Sequence, residues 1–329
     1  MGRKSVFILL LVLIFLLLVS CSDNEVPEQT TASETHAAET TPDTEPESSD
    51  QGTSVNIGYI ENINFSKNGI TIPSVSFVSG TLLVIDEEQR YRYDVASLLA
   101  LDNISSSVVS LKAQNLVRLY GKKSQNYVLS SARIFLKEDA FQPLENMMAA
   151  FVADTGKKTV QVVSGYSYNG EESLSSSFVT GYSIAINLIE DGANYSLASS
   201  EKTITVNGKI MTCLDWFQDH CAKYGFIYTG LEGSQARTLA TFRYVGVPHA
   251  LAMQRLDFVD TKEYANFLRY YSSVHTVTDF ESGITWNIDF YAAEVGKAVT
   301  TISIPKNAVY TVSGNNVDGF IVAYYLPKS

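Results

Sequence analysis

Residues 160–188 constrain the fold more than any other stretch. They open as Val160-Gln161-Val162-Val163-Ser164-Gly165-Tyr166 and close as Phe178-Val179-Thr180-Gly181-Tyr182-Ser183-Ile184-Ala185-Ile186-Asn187-Leu188. Each is a β-branched, apolar run bounded by a glycine, the pattern of a short buried strand. Only the Ser/Gly/Glu-rich residues 167–177 separate them. Two such runs read as strands of one sheet whose ends open on a shared cleft.

The flanking sequence supplies helices and further strands. Leu144, Met147, Met148, Phe151 and Val152 fall at helical spacing within 138–155, and Gly156 follows as a C-terminal stop. Asn207-Gly208 is a two-residue hairpin signal inside 203–211. Residues 215–224 read as a helix stopped by Gly225. Residues 226–228, 242–245 and 250–256 read as strands, and 260–271 as a last helix. From 272 onward short strands alternate with turns at Ser282-Gly283 and Gly314-Asn315-Asn316. The expectation is an α+β fold: an antiparallel sheet with packed helices, followed by a small all-β module.

The N-terminal part is of another kind. Arg3 and Lys4 precede an unbroken apolar run over 6–19, and Leu18-Val19-Ser20-Cys21 has the form of a bacterial lipobox. Residues 1–21 are therefore expected to be a lipoprotein signal peptide with Cys21 as the lipid attachment point, an uncleaved anchor being the alternative. A run of 14 apolar residues is short for a membrane span. Residues 22–54 are a Thr/Glu/Ser/Pro tether with nine acids and no Lys or Arg. Such a composition cannot bury enough apolar surface to order itself. The net charge of −11 thus overstates the acidity of the rest: 22 basic and 26 acidic residues remain in 55–329. No basic stripe marks a nucleic-acid surface. The expected location is the outer face of a bacterial cell membrane, held there by lipid. Residues 55–137 form a preamble without His or Cys. Within it, 82–85 reads as a buried strand and 94–101 as a helix.

The motifs Val163-Ser164-Gly165-Tyr166, Thr180-Gly181-Tyr182-Ser183-Ile184-Ala185, Lys223-Tyr224-Gly225-Phe226-Ile227 and Phe242-Arg243-Tyr244-Val245-Gly246-Val247-Pro248-His249-Ala250 occur in that order. Together they resemble the core of the VanY-type zinc D-alanyl-D-alanine carboxypeptidases. The resemblance implies that core over 138–271, a preamble packed on it over 55–137, and a β appendage over 272–329. It also implies a zinc site. Family members carry His-x-x-Gly-x-Ala-x-Asp on the second core strand, where His and Asp bind zinc. Here Phe178 stands at the His and Ala185 at the Asp. The third ligand, a His before Phe-Arg-Tyr-Val-Gly, is Thr241. The general-base Glu is Thr238, and the substrate-holding Arg after Ser-Gly-Tyr is Ser167.

Catalytic zinc takes three protein ligands and keeps one position open for water. Phenylalanine and alanine offer no lone pair, and threonine is a poor zinc ligand. The expectation is a metal-free, catalytically inactive protein with no cofactor. It would bind a peptidoglycan stem peptide or a protein partner at the cell wall. Tyr166, Tyr182, Arg243, Tyr244 and His249 are the candidate ligand groove, with a structural ion pair as the alternative role of Arg243. The competing reading is an active zinc peptidase whose metal site has moved to other residues, with His220, His249 and His275 as the available imidazoles. Cys213 and Cys221, eight residues apart, suit buried thiols better than a disulfide.

Overall fold

The computed structural model describes residues 55–56, 60, 63–66, 69–84, 92–94, 108–110, 115–166, 177–232, 238–271 and 275–328. The expected signal and tether segments, Cys21 and Ser167 lie outside the described residues, as does 95–101 of the expected preamble helix. Among the described residues no helix is long and apolar enough to cross a membrane.

A mainly antiparallel sheet organises the core. Its strand order is Phe226–Glu232, Leu239–Tyr244, Ser183–Glu190, Val160–Ser164 and Val128–Leu129, with Ala193–Tyr195 paired separately to Ser183–Glu190. Only the contact between Val128–Leu129 and Val160–Ser164 is parallel. Strand periodicity sorts the side chains into two faces. Ile184, Ile186, Leu188, Ala240 and Phe242 point into one apolar cluster. The helix Glu138–Thr155 covers that cluster with Leu144, Met147, Met148 and Phe151, at the spacing read from the sequence. Glu138 and Asp139 in its first turn suit the positive end of the helix dipole. Gly156 ends it at φ 69°, where a side chain would be strained. The helix Cys213–His220 packs alongside: Phe151 meets the Trp216 and Phe217 rings at 5.1 and 4.9 Å, and Trp216 Nε1 donates to Asp154 Oδ2 at 2.9 Å. A reciprocal cap between Thr212 and Asp215 starts this helix.

Three local expectations are corrected. Residues 250–256 belong to the helix Val247–Leu256, not to a strand. Gly246 at φ 88° turns the chain, Pro248 lies in the first turn, and His249, Ala252 and Met253 are buried at helical spacing. Residues 82–84 are buried but pair in no sheet. The helix expected over 215–224 ends at His220 and continues as a 3-10 turn, Cys221–Tyr224.

The strands after 275 do not stand alone. One five-stranded sheet has the order Val55–Asn56, Val309–Gly314, Gly319–Tyr325, Ile284–Ala292, His275–Asp279. Its first strand comes from the preamble and pairs in parallel with Val309 and Tyr310. Val299–Ile302 pairs with Gly69–Pro73, also from the preamble. The C-terminal β layer is therefore completed by the N-terminal segment. Its inner side shares an apolar cluster with Val247–Leu256 and Thr261–Tyr270 through Trp286, Ile288, Ile321, Met253, Tyr264 and Leu268.

Candidate functional site

The second face of the central sheet carries small and polar side chains: Ser183, Ala185, Asn187, Thr241 and Arg243, all buried. Ala185 is directly opposite Thr241 in the register, and Ser183 opposite Arg243. Two of the three residues that stand at zinc-ligand positions of the VanY motif, Ala185 and Thr241, are thus cross-strand neighbours. Register shifts flank this pair on both sides. One lies in the pairing with Val160–Ser164, at Ala185/Ile186. The other lies in the pairing with Phe226–Glu232, at Tyr228/Gly230. Bulges of this kind re-aim side chains next to functional sites.

At this pair the chemistry is closed rather than open. Thr229 Oγ1 donates to Thr241 Oγ1 at 2.9 Å, and Thr241 Oγ1 donates to the Gly230 carbonyl at 3.0 Å. The Thr241 hydroxyl proton is therefore committed to the bulged strand. Phe178 is buried on the 3-10 turn Ser177–Thr180, and Thr238 is half-buried just before the strand Leu239–Tyr244. A methyl group, a phenyl ring and a hydroxyl already engaged in two hydrogen bonds do not fit Zn²⁺, which takes thiolate, imidazole or carboxylate. Among the described residues no group of three His, Cys, Asp or Glu side chains could hold a metal ion.

The expected ligand groove needs correction. Tyr182, Arg243, Tyr244 and His249 are all buried, and of the five candidates only Tyr166 is partly exposed. Arg243 is 4% exposed and holds the preamble. Its Nη2 donates to the Leu83 carbonyl at 2.6 Å and the Thr81 carbonyl at 3.1 Å, and its Nη1 to Thr261 Oγ1 at 3.1 Å. Burial pushes its pKa down to about 10, which leaves it charged at neutral pH. The preamble segment 81–84 is clamped from its other side as well. Asn316 Nδ2 donates to the Val84 carbonyl, and Leu82 N donates to Ser313 Oγ. Among the described residues Arg243 makes no ion pair; it makes a fork of hydrogen bonds to two backbone carbonyls and the Thr261 hydroxyl.

His249 is 1% exposed, with Nδ1 3.3 Å from the Tyr264 hydroxyl and Nε2 unpaired. Burial pushes its pKa down to about 3, so it is neutral. Tyr182 donates to Asp139 Oδ2 at 2.9 Å and stacks on Tyr244 at 6.1 Å. Burial raises the Asp139 pKa. His220 stacks on Trp216, and its Nδ1 lies 2.7 Å from the Trp216 carbonyl; His275 Nε2 lies 3.0 Å from the Tyr271 carbonyl. Cys213 and Cys221 are free and buried. The sequence offered no signal for Thr81, Leu83, Thr229 or Thr261, because each acts through a partner distant in the chain or through a bulge.

The chain is similar to the vancomycin-resistance D,D-dipeptidase VanXYg, solved with a D-Ala-D-Ala phosphinate analogue. The TM-score is 0.54 at 20% identity, covering 78% of this chain and 97% of that one. The two chains share a fold, which here is an α+β architecture. Among curated proteins the chain is 27% identical over 282 residues to a D-alanyl-D-alanine carboxypeptidase of Enterococcus faecium, covering 81% of this chain and 83% of that protein. No family model matches. Sequence and fold together relate the chain to the VanY-like carboxypeptidases, in agreement with the motifs.

Proposed function

We propose that this chain is a lipid-anchored, extracytoplasmic protein that uses a D,D-peptidase fold to bind cell-wall peptide without hydrolysing it. The observation that carries the reading is the Ala185–Thr241 pair. Two positions that hold metal ligands in the VanY motif face each other here as a methyl group and an occupied hydroxyl. Without the metal, no water has its pKa lowered towards 7 and no scissile carbonyl is polarised. Thr238, at the position of the general base, cannot take a proton from water at neutral pH.

The anchor rests on the lipobox at Cys21, and the 33-residue acidic tether would let the domain reach away from the membrane. The burial of Tyr182, Arg243, Tyr244 and His249 favours a second reading, docking of a protein partner rather than a peptide in the old cleft. Similarity to a carboxypeptidase favours a third, hydrolysis with a metal held by other residues.

The test is D-alanine release from a D-Ala-D-Ala peptide by the full chain in detergent, with zinc supplied and metal content measured beside it. No release and no stoichiometric zinc are expected. Stoichiometric zinc with released D-alanine would establish the hydrolase instead.

A further inference from the structure

The chain is acidic as a whole, yet one surface segment carries only positive charge. Residues 115–137 hold five Lys or Arg and no Asp or Glu. Four of the five, Arg118, Lys122, Lys123 and Arg133, are exposed, and none has an ion-pair partner among the described residues. Local structure gathers them. The strand Leu116–Arg118 pairs with Phe135–Lys137, and Arg118 Nε donates to the Ala132 carbonyl at 2.6 Å, which brings Arg133 beside Arg118. The short helix Leu119–Lys122 follows at once, with Lys123 as its C-terminal cap.

An aromatic ring stands among these charges. Tyr120 is 61% exposed, and the Arg118 guanidinium lies over its ring, 5.6 Å from the centroid. The first two turns of the helix Glu138–Thr155 bring acids nearby, but Asp139 accepts from the Tyr182 hydroxyl and Glu145 from Ser124 Oγ, so Glu138 is the exposed one. The face therefore keeps a net positive charge that nothing within the described residues neutralises, together with a tyrosine of the kind that settles at membrane–water interfaces.

We infer that this face docks on an anionic phospholipid surface, that of the membrane to which the chain is anchored. Arg118, Lys122, Lys123 and Arg133 meet lipid phosphates, and Tyr120 sits at headgroup depth. Charge complementarity carries the assignment: each Lys or Arg near an anionic lipid surface strengthens attraction about fivefold. The anchor supplies the encounter, since a coil of 33 residues averages about 30 Å between its ends, which keeps the face at high effective concentration over the headgroups. The inference rests on the lipid-anchored reading above and adds a second state to it. The domain lies on the membrane when docked and reaches away when released, and salt favours release because the attraction fades within about 8 Å at physiological ionic strength.

The test reconstitutes the full chain into vesicles of phosphatidylcholine alone, or of phosphatidylcholine with phosphatidylglycerol, each carrying a dansyl-labelled lipid. Energy transfer from Trp216 and Trp286, the two tryptophans of the chain, reads how near the folded domain lies to the headgroups. Transfer is expected to be higher with phosphatidylglycerol and to fall to the phosphatidylcholine level as salt rises. The triple substitution Lys122→Gln, Lys123→Gln and Arg133→Gln is expected to weaken docking at least about tenfold with unchanged thermal unfolding. A charge-matched control at three other exposed lysines, Lys209→Gln, Lys306→Gln and Lys328→Gln, is expected to dock as wild type does. Equal transfer from the two vesicles, or equal loss in the two triple variants, overturns the docking face and leaves the anchor standing. A wild-type chain that floats with neither vesicle overturns both. Neutralising the nine acids of 22–54 tests the other occupant: if Lys122 and Lys123 then become more reactive to acetylation in detergent, the chain's own acidic segment covers the face, and the lipid assignment falls.

Discussion

The Leu83 carbonyl accepts from Arg243 Nη2 at 2.6 Å across 160 positions of sequence. Arg243 belongs to the central sheet, Leu83 to the preamble, and the contact is sealed from solvent. A residue in a family motif thus acts as the bolt between two parts of the fold.

Arg243→Met is expected to destabilise the protein by about 3 kcal/mol or more, because it leaves the Thr81 and Leu83 carbonyls buried without their charged donor. Arg243→Lys should recover only part of this, since an ammonium cannot reproduce the planar fork. Urea unfolding of the two variants beside wild type reads the difference. A loss below about 0.5 kcal/mol in Arg243→Met would show that the clamp carries no stability.

His249 makes stability depend on acid. Its folded pKa is about 3 against an ordinary 6.5, so the unfolded chain takes up the proton first as pH falls. Stability from this group is complete above pH 6.5 and declines between 6.5 and 3, by at most about 1.4 kcal/mol per pH unit. His249→Leu should flatten that part of the curve relative to wild type. Denaturant midpoints at pH 7, 6, 5 and 4 make the comparison, and parallel curves would assign the acid sensitivity elsewhere.

Rebuilding the zinc ligands tests the alignment of this sheet with the enzymes. Ala185→Asp alone places a carboxylate at a site 1% exposed and should cost about 3 kcal/mol. Combining it with Thr241→His and Phe178→His should produce a protein that zinc stabilises, seen as a rise in Tm with added metal. If zinc does not shift the Tm of the triple variant, the three positions do not converge.

Gly225 sits at φ 79°, and a Cβ there would lie 2.6 Å from Tyr244 Cε2 and 3.0 Å from the backbone of Gly246 and Val247. Gly225→Ala is therefore expected to lose about 2 kcal/mol or more, from strain and the clash together. Thermal unfolding is the check, and an unchanged Tm would mean that the turn relaxes freely.

Burial pushes the Cys213 thiol up to about 11 and the Cys221 thiol up to about 12, so neither supplies thiolate near neutrality. Mapped alkylation at pH 8 should spare both in the folded protein and label both in urea. Labelling of either in the native state would reveal local opening of the helix region.

Much of the architecture was legible where the signal was local. The spacing of Leu144, Met147, Met148 and Phe151 with Gly156 behind them defined a helix whose bounds the structure reproduces. Asn207 and Gly208 both take positive φ in the hairpin they announced. The apolar run at 250–256 misled, because periodicity alone cannot tell a short buried helix from a strand. The decisive residues there were Gly246 and Pro248 just before it. The candidate groove misled for another reason. Arg243 and His249 lie within a family motif in sequence, but their depth is set by segments that arrive from 81–84 and 261–264.

The sequence by itself determined the chemical inventory: Phe178 and Ala185 have no lone pair to offer a metal in any fold, and the Thr241 hydroxyl is a poor zinc ligand, which are properties of the side chains. It determined too which face of each strand is apolar, because the alternation is local. Tertiary structure alone decided that Ala185 and Thr241 meet in register, that Thr229 occupies the Thr241 hydroxyl, and that Arg243 closes on Leu83. Those are long-range pairings, and burial and hydrogen-bond satisfaction are settled only when distant segments pack against one another.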